Sequence, residues 1–276
     1  MEEDPAIAAL TGVVTQNVIG FEIAALSFDA QIELMVRWAT RHLSKVVCVA
    51  NVHMLMEAHT QSEMRSVLDR ADLVTPDGMP LVWVMRLLSG VCQDRVAGMD
   101  ILIALVQKSP DHQIPVFFLG SDGQTLHRIR QRLMQDAPNL QIAGMEPLPF
   151  RPLTIAEDEA IAQKIHDSGA GIVLVSLGCP KQELWMTAHK NRINAVMIGL
   201  GGAFPVYAGL RRWAPAWVRK AGLEWFYRLI QEPRRLWKRY RKTIPPFLFL
   251  AFKQILTTRS ERDISASSLG QPERFP

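Results

Sequence analysis

The sequence has little cysteine, no long apolar run and few of the common nucleotide-binding fingerprints. Its three cysteines, Cys48, Cys92 and Cys179, lie far apart, so neither a disulfide framework nor a zinc site is predicted. No run approaches the ~18 apolar residues of a spanning helix, and the acidic start differs from the basic start of a secretory signal. The absence of a Walker lysine and of Gly-x-Gly-x-x-Gly after the first strand of the second half argues against ATP hydrolysis and hydride transfer. These absences predict a cytoplasmic protein, soluble or peripheral to a membrane.

The composition is that of a chain able to build a large core. Its 276 residues are 48% hydrophobic, which suffices for one α/β domain with an extension or for two small domains. The net charge of +4 is uneven, because the segment from Arg211 to Lys242 holds most of the excess and Glu224 and Glu232 are its only acids. The sequence therefore predicts a basic segment on a core that is not itself basic.

Short apolar runs alternate with helical patterns along most of the chain. Strands are predicted at 12–14 and 18–23, as a hairpin around 15–17, and at 46–50, 73–74, 115–119, 140–143, 171–176 and 195–198. Helices are predicted at 30–42, 54–69, 79–89, from 95–100 to 107, and at 124–136, 154–168 and 181–189. The alternation predicts an α/β fold with Rossmann-like parallel sheets and helices on both faces.

One carboxylate follows a predicted buried strand. Pro76 and Gly78 break both strand and helix, so Asp77 is expected at the rim of the sheet, where open α/β folds bind ligands. Asn51 ends the preceding strand and is expected to face the same crevice. On this stretch alone the favoured interpretation is that Asp77 caps the next helix, since Pro-Asp-Gly is common in turns, and the rest of the chain shifts the balance toward a functional carboxylate.

Three predicted strands end in glycine-rich turns, at Gly120, Gly178 and residues 199–202. Glycines let backbone amides approach a phosphate, although one such turn is often only a turn. Three at one sheet edge favour a nucleotide or a sugar phosphate as ligand. No metal site is predicted, because the acidic run at 157–159 lies in the first turn of a helix, where neighbours point apart. His53 can ligate a metal or donate a hydrogen bond, but it is interpreted as a satisfied residue at a helix start.

Aromatic and basic residues interleave in the C-terminal segment. Pro233 is expected to end one helix and start the next, so that Arg235, Lys238 or Arg239, and Lys242 share a face. This composition suits an anionic membrane interface, RNA or an ordinary solvated helix pair. The expected domains are a Rossmann-like core at 1–209, a basic aromatic membrane-associating appendage at 210–258 and a disordered tail at 259–276.

Segments between about Val46 and Tyr240 resemble the WecG/TagA/CpsF glycosyltransferases. They are NVH at 51–53, TPDG at 75–78, RVAGMD at 95–100, FLG at 118–120, LGCPKQE at 177–183, GGAF at 201–204, AP at 214–215, GLEWFYRL at 222–229 and EPRR at 232–235. The resemblance implies a bacterial enzyme that moves a sugar from a UDP donor to a polyprenyl-diphosphate-linked sugar. It also implies inversion of the anomeric centre without a metal.

The resemblance implies roles for individual residues. Asp77 is similar to the family's proposed general base, and Asn51, Arg95 and Gln182 are similar to its pocket residues. The expected substrate-binding residues are Gly120, Gly178, Gly201, Gly202, Ala203, Arg228, Arg235 and Lys238, of which Arg228 and Arg235 match arginines that the appendage brings to the active site.

The chain departs from the family pattern at three positions. Val49 stands where relatives often have threonine, and Lys238 lies near a position that is often arginine. Pro205 stands where an acid that can face the nucleotide base is common, so the recognition of uracil is left open.

The residues themselves support the same mechanism. An inverting transfer needs a base for the acceptor hydroxyl, which Asp77 can supply, and cations or amides for the departing UDP. Arginine suits the second task because its planar fork grips phosphate at two points. A membrane-associated nucleotide-binding protein without turnover would leave Asp77 idle, and an RNA-binding protein is disfavoured because the basic residues gather at one end.

The function expected from the sequence is a UDP-sugar-dependent hexosyltransferase of bacterial surface polysaccharide synthesis. Its donor sugar is expected to be of the N-acetylmannosamine type, its uronic acid, or glucose. We expect it on the cytoplasmic face of the inner membrane, bound peripherally to anionic lipid, with no cofactor, no metal and no nucleic acid. A homo-oligomer is left open.

Overall fold

The protein is built on a six-stranded parallel sheet. The computed structural model describes the backbone of residues 13–268 and the side chains of residues 13–258. The strands are β1 (Thr15–Val18), β2 (Phe21–Ala24), β3 (Lys45–Ala50), β4 (Leu73–Pro76), β5 (Val116–Gly120), β6 (Ile142–Glu146), β7 (Ile172–Ser176) and β8 (Val196–Gly199). The sheet has the order β4-β3-β8-β7-β5-β6, and the antiparallel hairpin β1-β2 packs against β4.

Helices cover both faces of the sheet, which confirms the predicted fold class. They are α1 (Phe28–Thr40), α2 (Val52–Thr60), α3 (Ser62–Arg70), α4 (Met79–Ser89), α5 (Gly98–Lys108), α6 (Gly123–Asp136), α7 (Ile155–Asp167), α8 (Lys181–Ala188), α9 (Ala203–Tyr207), α10 (Ala216–Lys220), α11 (Glu224–Gln231) and α12 (Pro233–Ser268). Polar side chains fix several starts. Ser27 accepts a hydrogen bond from the Ala30 N–H, and Thr154 forms a reciprocal capping box with Glu157.

Alternate residues of each strand form the two halves of the core. Along β3, Val46, Cys48 and Ala50 belong to one hydrophobic cluster, whereas Val47 and Val49 belong to the other. A strand buried on both faces is apolar throughout, as the sequence here is. Because the strands are parallel, the residues that follow β4, β3, β8 and β7 lie side by side at one edge of the sheet.

The C-terminal appendage packs on this core. Phe247 and Ala251 of α12 are 0% and 3% exposed and belong to the cluster that contains Val46. Gln254 accepts a hydrogen bond from the Ile19 N–H (2.8 Å) and donates one to the Asn17 carbonyl (2.9 Å). Helix α12 is therefore one wall of the core. Within residues 13–268, no helix is both long enough and apolar enough to cross a membrane.

Some local predictions differ from the structure. The hairpin turns at Ile19 and Gly20 rather than at 15–17. Both residues have positive φ (48° and 91°), as in the two-residue turns whose twist matches that of the flanking strands. The helix predicted at 54–69 is divided, since Gln61 between α2 and α3 is extended (φ −122°, ψ 115°). Helix α12 continues to Ser268, into the segment expected to be disordered. Residues 1–12 and 269–276, on which parts of the strand and tail predictions fall, lie outside the described residues.

Candidate active site

Asp77 stands at the carboxyl end of β4, at the edge where the sequence predicts it. Its N–H donates to the Ala50 carbonyl (2.8 Å), which ties the residue to the end of β3. Helix α4 begins behind Gly78 without a side-chain cap, so Asp77 does not serve as the N-cap. Among the described residues, no side chain or amide hydrogen-bonds the Asp77 carboxylate. The carboxylate is therefore available to a ligand.

Two cavities meet at Asp77. A polar crevice of about 170 Å³ lies over the ends of β3 and β8, between the loop at 199–203 and the appendage. A larger cavity of about 700 Å³ lies between α4 and α12. The residues that line both are Asn51, His53, Asp77, Glu224, Arg228 and Arg239. This shared set forms the junction of the two cavities, and we call it the junction below.

The surroundings of Asp77 raise its pKa to about 6. Burial is the main cause, and the nearby Glu224 carboxylate adds to it. The guanidinium groups of Arg95 and Arg228 lower the pKa and offset part of the effect. A carboxylate with a pKa near neutrality can accept a proton and release it again at physiological pH, which a general base requires.

Asn51 and His53 lie beside Asp77 at the start of α2. Asn51 is the N-cap of that helix, because its side chain accepts a hydrogen bond from the Met54 N–H (3.2 Å). Burial, with a smaller contribution from Arg239, lowers the pKa of His53 to about 4, so its imidazole is neutral. No partner among the described residues hydrogen-bonds the buried His53 Nδ1. This Nδ1 lies 3.6 Å from the Glu57 carboxylate, too far for a hydrogen bond, so the satisfied role predicted for His53 is not confirmed, and its imidazole lines the junction.

Gln182 lies at the bottom of the polar crevice in a fixed orientation. Its Oε1 accepts from the Gly178 N–H (3.1 Å), and its Nε2 donates to Glu183 (2.7 Å), which is fully buried. Burial raises the pKa of Glu183 to about 7, although the Gln182 bond lowers it. A Cβ on Gly199 would lie 2.8 Å from Gln182 Nε2, so a larger residue there would displace the Gln182 amide. Sequence reasoning missed Glu183 as the residue that orients Gln182.

The glycine-rich turns do not all reach the cavities. Gly201, Gly202 and Ala203 line the polar crevice with Gln182. Gly120 and Gly178 line neither cavity, so the prediction that they bind substrate is not supported by their placement. A Cβ on Gly120 would lie 2.6 Å from the Ser176 carbonyl oxygen, so glycine there permits the close approach of two strand ends.

Arg95 connects the core to the appendage. It donates to Asp100 (2.9 Å) and to Glu224 (2.6 Å), and Asp100 also pairs with Arg219 (3.3 Å). The guanidinium of Arg219 stacks 3.7 Å from the ring centre of Trp213. We call these four charged residues the latch. Because Arg95 is bound by two carboxylates, it holds the appendage in place and is not free to neutralise a phosphate in this state.

Other arginines of the appendage face the crevice. Arg228 lies over the glycine loop, with its guanidinium 3.1 Å from the position that a Cβ on Gly202 would take. Arg235 lines the polar crevice and pairs with Glu232 (2.6 Å). Arg239 lies at the junction, whereas Lys238 is exposed and lines neither cavity. The sequence left Lys238 and Arg239 as alternatives on one helical face, and the structure selects Arg239.

No metal-binding group is found in the described part of the chain, where no three His, Cys, Asp or Glu side chains are placed to hold an ion.

Pro205 lies in α9, and its carbonyl accepts hydrogen bonds from the Leu210 and Arg211 amides (2.9 and 3.0 Å). The Pro205 side chain has no hydrogen-bonding group, so it cannot make the contact to a nucleotide base that an acid at this position could make.

The site combines a carboxylate of raised pKa with arginines and a glycine loop at the carboxyl edge of a parallel sheet. This is the arrangement of a group-transfer enzyme for an anionic substrate. Residues 16–261 match the model of the Glycosyl transferase WecG/TagA/CpsF family, and the chain belongs to that family. It is therefore a glycosyltransferase.

Two bacterial relatives have names that state an activity. Both are called N-acetylglucosaminyldiphosphoundecaprenol N-acetyl-beta-D-mannosaminyltransferase. The protein from Bacillus spizizenii (strain ATCC 23059 / NRRL B-14472 / W23) is 32% identical over 208 residues, which cover 75% of this chain and 78% of that protein. The protein from Bacillus subtilis (strain 168) is 30% identical over 213 residues, which cover 77% of this chain and 80% of that protein.

Proposed function

We propose that the protein transfers a sugar of the N-acetylmannosamine type from a UDP donor to a saccharide linked to polyprenyl diphosphate. The observation that carries the proposal is the position of Asp77, which faces both a polar crevice and an apolar cavity. The two relatives support the acceptor, because their names describe a diphosphoundecaprenol-linked sugar. The uronic acid of that sugar and glucose are the alternative donors that an assay must compare.

The proposed reaction is a single displacement with inversion. The acceptor hydroxyl gives its proton to the Asp77 carboxylate, and its oxygen forms the new bond to the anomeric carbon. The bond from that carbon to the diphosphate breaks, and its electron pair leaves with UDP. Glu224, the other carboxylate at the junction, is bound by Arg95 (2.6 Å), which supports one free carboxylate acting as a base over a covalent intermediate.

The charge that develops on UDP needs a counter-charge. Arg228 over the glycine loop and Arg235 at the crevice wall are in reach of a diphosphate held there. Arginines aimed at a developing charge stabilise the transition state more than the ground state. These cations support the proposal that no metal ion is needed, and chelation tests that proposal directly.

The proposed site of action is the cytoplasmic surface of the bacterial inner membrane. Four aromatic side chains of the appendage, Trp217, Phe226, Trp237 and Phe249, are 71%, 48%, 63% and 68% exposed. Exposed rings beside basic residues suit an anionic lipid interface. This placement brings the crevice to a lipid-linked acceptor at the membrane surface.

The test is UDP release from a panel of UDP-sugars, with and without a polyprenyl-diphosphate-linked N-acetylglucosamine. We expect rapid release with one donor only when the acceptor is present, and a product lengthened by one sugar. The Asp77→Asn variant serves as the control for the chemical step. Equal UDP release without the acceptor would indicate a hydrolase, and no release with any donor would contradict the proposal.

A further inference from the structure

The larger cavity changes in character along its length. At the junction it has the polar side chains of Asn51, Asp77, Arg228 and Arg239. Beyond them the wall is formed by apolar side chains, namely Trp83 and Leu87 of α4 and Leu248, Phe252 and Ile255 of α12. From Arg239 to Ile255 the helix rises by roughly 24 Å at 1.5 Å per residue. We call this part of the cavity the apolar groove.

The size and openness of the groove suit a ligand rather than a packing defect. The whole cavity, of which the groove is the apolar part, has a volume of about 700 Å³, within the range of ~300–1,000 Å³ that is typical of small-molecule sites. Its rim is apolar, because Trp83 and Leu87 are 46% and 53% exposed and Leu248 and Phe252 are 55% and 62% exposed. A chain inside the groove can therefore continue into surrounding lipid.

The order of chemical groups along the cavity matches one kind of molecule. A hydroxyl-bearing sugar fits at Asp77, a diphosphate fits between the guanidinium groups of Arg228 and Arg239, and a hydrocarbon fits beyond them. Neither arginine is engaged in an ion pair with a carboxylate among the described residues. A peptide partner would need hydrogen-bonding groups along its whole length, and the apolar part of the groove offers few.

We propose that the apolar groove binds the hydrocarbon of the acceptor's polyprenyl chain next to the diphosphate, and that Arg239 contacts that diphosphate. The inference rests on the proposed function for the identity of the acceptor. It adds the path of the lipid between α4 and α12, and it makes α12 part of the substrate site as well as a contact with the membrane.

Two variants and a matched control test the groove. Leu248→Glu and Phe252→Glu place a carboxylate on its wall, whereas Phe249→Glu places the same charge on the same helix outside either cavity. All three side chains are more than half exposed, at 55%, 62% and 68%, so each variant is expected to fold. Binding of a sugar-free prenyl diphosphate is measured through tryptophan fluorescence, and flotation with phosphatidylglycerol vesicles is measured separately.

Leu248→Glu and Phe252→Glu are expected to weaken prenyl diphosphate binding by about tenfold or more, because a carboxylate would have to lose water beside hydrocarbon. Phe249→Glu should leave this binding within about twofold of the wild type. Equal losses in all three variants, in proportion to vesicle flotation, would show that α12 only meets the membrane and would overturn the proposal. So would binding that does not change in any variant.

A second measurement separates the groove from the proposed function. Transfer is compared between acceptors that carry the same sugar diphosphate on a long prenyl chain and on a short, water-soluble alkyl chain. The groove variants should lose transfer to the long acceptor alone. If the wild type transfers to neither acceptor, the proposed function fails, while the binding measurement still decides whether the groove takes a prenyl chain.

Discussion

Replacing Asp77 by asparagine is expected to stop transfer and to make the fold more stable at neutral pH. The folded state raises the pKa of this carboxyl from 3.8 to about 6, mainly through burial. A shift of about 2 units corresponds to roughly 3 kcal/mol of unfolding free energy lost when the carboxylate is ionised. Because Asp77 keeps some contact with solvent, that value is an upper limit, and we expect the variant to gain about 1–2 kcal/mol.

The stability gained by the Asp77→Asn variant depends on pH. Below the unfolded-state pKa of 3.8 the carboxyl is protonated in both states, and the folded protein pays no penalty. The penalty grows as the pH rises from 3.8 to about 6, and it is complete above that value. Asparagine carries no such penalty. The variant should therefore match the wild type at low pH and exceed it at neutral pH.

The assay is urea unfolding of both proteins between about pH 4 and about pH 8, combined with transfer rates at neutral pH. Loss of a general base is expected to reduce transfer by ~10²-fold to ~10⁴-fold while UDP still binds. Asp111→Asn, at an exposed aspartate outside both cavities, controls for the amide substitution itself. A stability gain that does not change with pH would refute the pKa argument, and near-normal transfer would remove Asp77 from the mechanism.

Three further predictions concern the cations. Arg239→Ala is expected to cut transfer by about tenfold or more, whereas Lys238→Ala on the outer face should change it by less than about twofold. Arg95→Gln and Glu224→Gln are expected to loosen the appendage, and a double-mutant cycle on unfolding should give a coupling of about 1 kcal/mol between them. EDTA should change the transfer rate little, because the arginines supply the counter-charge for UDP.

Each of these has an outcome that would contradict it. Equal losses for the substitutions at Arg239 and Lys238 would mean that the appendage acts through its total charge. A coupling near zero would mean that the latch does not hold the appendage. Activity lost to EDTA and restored by Mg²⁺ or Mn²⁺ would show that a metal ion carries the charge assigned here to arginine.

The sheet edge and its carboxylate could be predicted because local patterns determine them. The strand before Asp77 is buried along its length and begins with the apolar Leu73 and Val74, and Pro76 with Gly78 ends it, so the sequence indicates a position at the rim. The helix limits of α4 were likewise readable from an apolar run that begins after a turn and ends at Gly90, whose φ is 76°.

The partners of these residues could not be predicted, because they come from distant parts of the chain. Arg95 and Glu224 are separated by 129 positions, yet their side chains meet at 2.6 Å. Nothing near Arg95 in the sequence indicates that it binds a carboxylate rather than a phosphate. The apolar groove could not be predicted either. Its walls are two amphipathic helices, α4 and α12, and the sequence of neither helix shows that it faces the other.

The choice between Lys238 and Arg239 shows a finer limit. Neighbouring positions on a helix differ by about 100°, and the rotation of α12 is fixed by Leu236, Phe247 and Ala251, which are buried. A sequence pattern shows that the helix has a basic face, but it does not show how the helix is rotated about its axis where it packs on the core. The packing decides which cation faces the substrate.

The hydrogen bonds between Gln254 and the first hairpin bear on how the enzyme is made. The Ile19 amide and Gln254 are 235 positions apart, so this contact forms only after the chain through Gln254 has left the ribosome. At synthesis rates of ~5–20 residues per second, the sheet and its glycine loop have seconds in which to fold before α12 is available. The sheet edge that carries Asp77 can thus form before α12 is available to cover it, and the proposed lipid groove is complete only once α12 has packed on the core.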